Sequence, residues 1–332
     1  MKRLILIVIV ALLCVNIFSF YGLGAQLKVG LLLPGVITDQ GWNTLAYNAL
    51  KAVEKKYNAQ ISYVEKVAVA DEEALLRQYA QAKYDLVIGH GFEFIDAMKK
   101  VAKDFPNTPF LLTSADVCQE PNLSSVWINV AQDGFLGGAI AALLTKTNKV
   151  ALIGGIEFPS SMEASNGFIK GAKYINPNVE AMSFYTGSYE DVSKAKEMAK
   201  AVFMKGADII MPCTDIGDIG VVEAAKEVNE KGVMVRLIGD IGDLALNCPN
   251  PELVITSVIR DYGVAFNIVA GDILRNEYKA KVYRMGMENG VIHLAPFRSY
   301  EEKLTEEEKT KINQLIELLK SGEINLEDCY VK

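Results

Sequence analysis

The chain has 332 residues, half of them apolar, and a net charge of −7 with acidic and basic side chains mixed along its length. That length suits about two domains with substantial cores. The absence of a basic block speaks against nucleic acid as a partner.

The first segment, MKRLILIVIVALLCVNIFSFYGLGA, reads as a secretory leader over residues 1–25. It has Lys2 and Arg3, an apolar run, then Gly22, Gly24 and Ala25, with cleavage expected near Gly24–Gln26. An uncleaved anchor is one alternative, since the apolar run approaches the length of a membrane span. Lipidation at Cys14 is another, although Leu13 stands where a lipobox wants a small residue. The body is therefore expected to be exported, periplasmic or at the cell surface, with or without a tether.

Beyond the leader, short apolar strands alternate with amphipathic helices. KVGLLL precedes a helix from about Trp42 to Lys56. ISYVEKV precedes DEEALLRQYAQA, YDLVIGHG precedes FIDAMKKVAKDF, and PFLLTS and VWINV lead into GFLGGAIAALLTK. The unit then restarts at Lys149: KVALIGG, EAMSFYTG, DIIMPCT, VRLIGD and LVITSVI are again strand-like, with helices between most of them. Continuous apolar strands alternating with helices indicate parallel sheets covered on both faces. The expected fold is α/β, with two lobes and a cleft between them. The first lobe is placed at 26–145 plus about 263–297, the second at 146–260 plus about 298–332.

In open parallel sheets, ligands sit at the carboxyl ends of the strands. The loops there are TDQGWN, GHGFEF, INVAQD, GGIEFPSS, TGSYED, CTDIGDIG and GDIGD, followed by the Arg260 segment. They hold no GxSxG elbow, HExxH, P-loop or GxGxxG. The histidines are His90, at a strand end, and His293, in an apolar strand where a structural role is expected. The cysteines beyond the leader, Cys118, Cys213, Cys248 and Cys329, lack zinc-ligand spacing. No metal or cofactor is expected. The aspartates of CTDIGDIG and GDIGD fit either acid–base work or solvated loops and helix caps.

The same loops suit a binding site. Trp42, Phe92, Phe94 and Tyr189 offer flat apolar surfaces, and Asn43, Asn129, Asp215, Asp240 and Arg260 offer polar anchors. Aromatic faces stack on a flat heterocycle. An amide or carboxylate reads ring nitrogens, and a carboxylate beside a cation suits a sugar diol. This mixture favours a nucleoside over a bare sugar, an amino acid or an ion. A sugar or other metabolite, a sensor domain, and an exported nucleoside-processing enzyme using Asp215 and Asp240 stay open.

The pieces VGLLLPGVITDQGWNTLAYNAL, GFEFIDAMKKVAKDFPNTPFL, DGFLGGAIAALLT, GGIEFPSS, YTGSYEDVSKAKEMAKAVFMKGADII and GMENGVIHLAPF, in this order, resemble the basic membrane protein family over about residues 27–297. These are exported substrate-binding proteins of ABC transporters, including purine nucleoside receptor lipoproteins. The resemblance implies a type I periplasmic-binding fold with three crossovers and a ligand closed in the hinge cleft. It also implies a membrane permease as partner and a monomer in solution. Carried over by position, Trp42 matches the first stacking ring, where relatives usually carry phenylalanine in D-x-S-F-N, and Tyr189 the second. Asn43 matches a base-reading amide, and Asp240 the ribose-binding carboxylate, with Asp243 as the other candidate in GDIGD. Arg260 falls where relatives often carry lysine, and Asn129 near a base-reading aspartate. Asparagine for a carboxylate changes the pattern of donors and acceptors read, and arginine for lysine is not a neutral exchange.

Overall fold

The computed structural model describes residues 26–39 and 41–331; the leader, with its Cys14 alternative, lies outside them. Five parallel strands, β1 (Lys28–Leu32), β2 (Gln60–Val64), β3 (Leu86–Gly89), β4 (Phe110–Thr113) and β5 (Leu123–Ile128), open the chain. Five more follow: β6 (Lys149–Gly154), β7 (Glu180–Tyr185), β8 (Ile209–Cys213), β9 (Arg236–Ile241) and β10 (Val254–Arg260). Two short strands, β11 (Val282–Met285) and β12 (Ile292–Leu294), complete two six-stranded sheets.

The first sheet runs β11-β5-β4-β3-β1-β2 and the second β12-β10-β9-β8-β6-β7. Every pairing is parallel except β10 with β12, where Val258 faces Leu294 in an antiparallel edge. Central strands such as Val29–Leu32 and Val150–Ile153 are fully or almost fully buried, as a sheet covered on both faces requires.

Ten helices cover the sheets among the described residues: α1 (Trp42–Tyr57), α2 (Glu72–Gln81), α3 (Ile95–Asp104), α4 (Val130–Leu144), α5 (Pro159–Ile175), α6 (Val192–Met204), α7 (Asp218–Glu230), the single turn α8 (Leu244–Asn247), α9 (Tyr262–Leu274) and α10 (Glu306–Lys320). The chain passes between the sheets three times. After β5 it crosses at Asn129, and α4 packs on the second sheet and on α5. After β10 it crosses back at Asp261, and α9 packs on α1 of the first lobe, with the Tyr57 hydroxyl donating to the Asn267 carbonyl at 3.0 Å. The last crossing joins β11 to β12. Residues 130–145, expected with the first lobe, thus lie on the second sheet. So does β12, from the segment 263–297 expected with the first.

The crossing helices are made for burial. VAQDGFLGGAIAALL is buried at all but one position. Gly134 and Gly138 of α4 meet the backbone of Ala164 and Phe168, while Gly167 and Gly171 of α5 meet that of Ala131 and Phe135. A Cβ at any of the four would strike a backbone carbonyl, so the two helices touch backbone to backbone. Asn129 and Asp261, the residues at two crossings, are also the N-caps of α4 and α9: Asn129 accepts from the Gln132 amide at 3.3 Å and Asp261 from the Gly263 amide at 2.7 Å.

Candidate functional site

The turn between β1 and α1 is built on Asp39. Its carboxylate accepts from the amides of Gly41, Asn43 and Thr44, from Asn43 Nδ2 at 2.7 Å and from the Thr44 hydroxyl at 2.7 Å. Burial pushes this carboxyl up, but the donors from Asn43 and Thr44 outweigh it and hold the group below the usual range. Asn43 is 8% exposed, and its Oδ1 also accepts from the Gly35 amide. Its amide, expected to read a ligand, is therefore engaged in shaping the turn.

Trp42, half-buried at the first position of α1, rests on His90, with ring centroids 3.8 Å apart. Its indole Nε1 donates to the Tyr262 hydroxyl at 3.2 Å. His90 follows β3 and is fully buried. A carbonyl only accepts, so His90 Nε2 donates to the Trp42 carbonyl at 3.2 Å, and Nδ1 accepts from the Thr113 hydroxyl at 2.9 Å. Burial lowers the imidazole pKa to about 3, which keeps it neutral. Phe94, expected as a flat surface, is instead a fully buried core residue under α3, whereas Phe92 is exposed and faces Phe158 of the second lobe with ring centroids 6.4 Å apart.

The second lobe contributes the strand ends of β6, β8, β9 and β10. Arg260, at the end of β10, is clamped between two carboxylates. Its Nε meets Asp133 of α4 in a close ion pair, and its Nη2 reaches both oxygens of Asp240 at 3.1 Å. Asp133 is fully buried and Asp240 is 6% exposed. Asp243, the other candidate in GDIGD, pairs with Arg298 away from this cluster. Tyr189 lies on Gly155, where a Cβ would run into its ring, and its carbonyl accepts from the Gly217 amide at 3.0 Å. Its phenol is pushed up, first by burial and then by Cys213 and Asp215.

Asp215 and Asp218 follow β8. Burial, with Asp218, Asp39 and Asp240 nearby, pushes the Asp215 carboxyl to about 8; Arg260 offsets part of this. Burial likewise pushes Asp218 to about 7, although it accepts from the Thr214 amide and hydroxyl at 2.8 and 2.7 Å. Near neutral pH both groups can donate as well as accept.

Gly41 of the first lobe lies against Asp215: a Cβ there would sit 2.5 Å from Asp215 Oδ1. Gly41, Asp215, Asp218, Asp240, Leu244 and Cys248 are among the residues enclosing a cavity of about 40 Å³. A small-molecule pocket occupies roughly 300–1,000 Å³. The space enclosed here is thus smaller than a small-molecule pocket.

Asp240 and Arg260 are paired on the second lobe, with Asp215 and Tyr189 nearby; on the first lobe Trp42 and Asn43 belong to the turn held by Asp39, whose Gly41 lies against Asp215. Asn129 does not join them. It caps α4 and lines a separate groove with Trp127, Arg284 and Tyr330. Asp133 closes the strand-end loop INVAQD but was not singled out there; a carboxylate in the mostly apolar run of α4 was its signal. His293 lies in β12, with its Nδ1 3.3 Å from the Gly290 carbonyl. Among the described residues the four cysteines are free thiols; Cys213 and Cys329 are buried, whereas Cys118 is exposed.

Comparison with known proteins places this architecture. The model of the family described as "ABC transporter substrate-binding protein PnrA-like" matches residues 26–327. Basic membrane protein B of Borreliella burgdorferi is 30% identical over 315 residues, which cover 90% of each protein. The transcriptional activator protein med of Bacillus subtilis is 28% identical over 272 residues, 81% of this chain and 82% of that one. In structure, a solute-binding protein of an ABC transporter system from Aeropyrum pernix superposes with a TM-score of 0.78 at 19% identity, covering 90% of this chain and 92% of the other. With the type I periplasmic-binding architecture and a family match over nearly all the described residues, the chain belongs to the Bmp family of PnrA-like ABC transporter substrate-binding proteins.

Proposed function

We propose that this protein captures a purine nucleoside outside the cytoplasm and presents it to an ABC permease, acting as a monomer without a cofactor. The observation that carries the reading is the Asp240–Arg260 pair at the strand ends of the second lobe, with Tyr189 nearby. Asp240 and Arg260 supply acceptors and donors for a ribose diol, and the rings of Tyr189 and Trp42 supply faces for a base. The ligand bridges both lobes, and its differential affinity for the closed form drives hinge closure. On this reading the protein is a binder that releases its ligand unchanged.

The test is a thermal-shift screen of leaderless protein, partially unfolded and washed to strip carried ligand. Ligand bound only to the native state raises Tm by mass action. Adenosine, guanosine or inosine is expected to raise it, with ribose and free bases inactive and the nucleoside recovered intact. A response to sugars or amino acids alone overturns the ligand; conversion of the nucleoside overturns the binder.

The name of the Bacillus subtilis relative favours a second reading, a ligand-sensing regulator. On that reading, closure signals to a protein partner, and deleting the associated permease leaves the signal intact.

A further inference from the structure

Three rings meet in the first lobe, next to the crossing at Asp261. Trp42 opens α1, and Tyr262 opens α9 one residue after that crossing. The two helices pack together. Trp42 lies on the imidazole of His90 with ring centroids 3.8 Å apart, and Tyr262 meets the same imidazole edge-on at 5.1 Å. The triangle closes through the hydrogen bond from Trp42 Nε1 to the Tyr262 hydroxyl at 3.2 Å. Tyr262 is 4% exposed, and among the described residues Trp42 is the one partner of its hydroxyl. Phenylalanine would fill the same buried space with no polar group to satisfy, so the hydroxyl is there for the indole. His90 is fully buried, whereas Trp42 keeps part of its surface exposed. Trp42 is therefore the member of the three that a ligand can reach.

We propose that Tyr262 is a positioning residue for ligand binding: its hydroxyl fixes the plane of the Trp42 indole, so that the ring is set for stacking before a ligand arrives. The inference rests on Trp42 being a ring on which the ligand stacks, as in the reading above. A tryptophan held by its own helix alone can still turn about its side-chain torsions, and a stacking ligand must then immobilise it. Here the N–H bond to Tyr262 and the contact with His90 immobilise the ring on folding, so binding loses less freedom. The anchor comes from the segment that crosses between the lobes, not from the Asp39 turn that leads into Trp42.

The test is a double-mutant cycle on leaderless protein with inosine as the probe: wild type, Tyr262→Phe, Trp42→Phe and the double variant. Tyr262→Phe keeps the ring against His90 and removes the hydroxyl. Beside Trp42 it is expected to weaken inosine binding about threefold to tenfold, the range set by releasing one immobilised side chain. In the Trp42→Phe background, where no indole N–H is left to hold, the loss is expected to be less than about twofold. Equal losses in both backgrounds mean general packing and overturn the proposal, as does no loss beside Trp42. A second readout needs no ligand. The chain has two tryptophans, Trp42 and Trp127, so the Trp42 indole N–H resonance is assigned by its loss in Trp42→Phe, or by elimination in Trp127→Phe if Trp42→Phe does not fold. In Tyr262→Phe that resonance is expected to move upfield and to exchange faster with solvent; an unmoved resonance overturns the proposal. If the wild type does not bind inosine, adenosine or guanosine, the nucleoside reading fails, and the resonance still decides whether Tyr262 positions the ring.

Discussion

At the scale of single residues, His90 shows how the first lobe holds its cleft face. Its neutral ring supports Trp42 from below, accepts from Thr113 and donates to the Trp42 carbonyl. Burial lowers its pKa to about 3, against about 6.5 in an unfolded chain. Below pH 6.5 the unfolded chain takes up a proton that the folded one refuses. This contribution to stability is complete above pH 6.5 and declines by about 1.4 kcal/mol per pH unit as pH falls toward 3. The raised carboxyls, Asp215 among them, act in the opposite sense between their unfolded pKa and about 8. The measurement is therefore a comparison: urea unfolding of wild type and His90→Gln at pH 7 and pH 5. The wild type is expected to lose roughly 2 kcal/mol more than the variant between pH 7 and pH 5; parallel pH curves would show that the ring titrates normally. The aromatic at the mouth of the turn was legible in TDQGWN. The use of Asn43 by Asp39 was not, because an amide near a helix start reads equally well as a ligand group or a turn anchor.

At the scale of elements, α4 and α5 are held by absences. Ala for Gly inside a helix ordinarily gains up to about 1 kcal/mol. Gly138→Ala is expected to do the reverse and cost roughly 1–3 kcal/mol, because its Cβ meets the Phe168 backbone and no rotamer can relieve that. Thermal unfolding decides it, and a rise in Tm would mean the two helices are not in backbone contact. The order of strands and helices was legible from periodicity, since continuous apolar runs separated by amphipathic helices admit few alternatives. The side on which α4 lies was not. A helix apolar all round carries no stripe to show which sheet it covers, so the restart at Lys149 looked like the lobe boundary when the crossing is at Asn129. The short strand at Ile292–Leu294 was similarly ambiguous, being long enough to pair but too short to name its partner.

At the scale of the whole molecule, Gly41 meets Asp215 and Phe92 faces Phe158 between the lobes, while Tyr330 of the C-terminal segment meets Trp127 with ring centroids 5.7 Å apart. That segment is tied to α5 through Asn166, which donates to the Cys329 carbonyl at 3.0 Å, and through the Lys170–Asp328 ion pair. It therefore touches both lobes. The three crossings, described above as geometry, also set a timetable for folding. The first sheet lacks its edge strand until residue 285 is available and lacks its α9 cover until residue 274. Residues 26–128 made alone are expected to be without stable tertiary structure, which circular dichroism and proteolysis of that fragment would show; a cooperative unfolding transition would count against it. Contacts so distant in sequence form late and slowly. The first lobe is therefore completed only after β6 to β10 of the second have been made, and those lie together between residues 149 and 260.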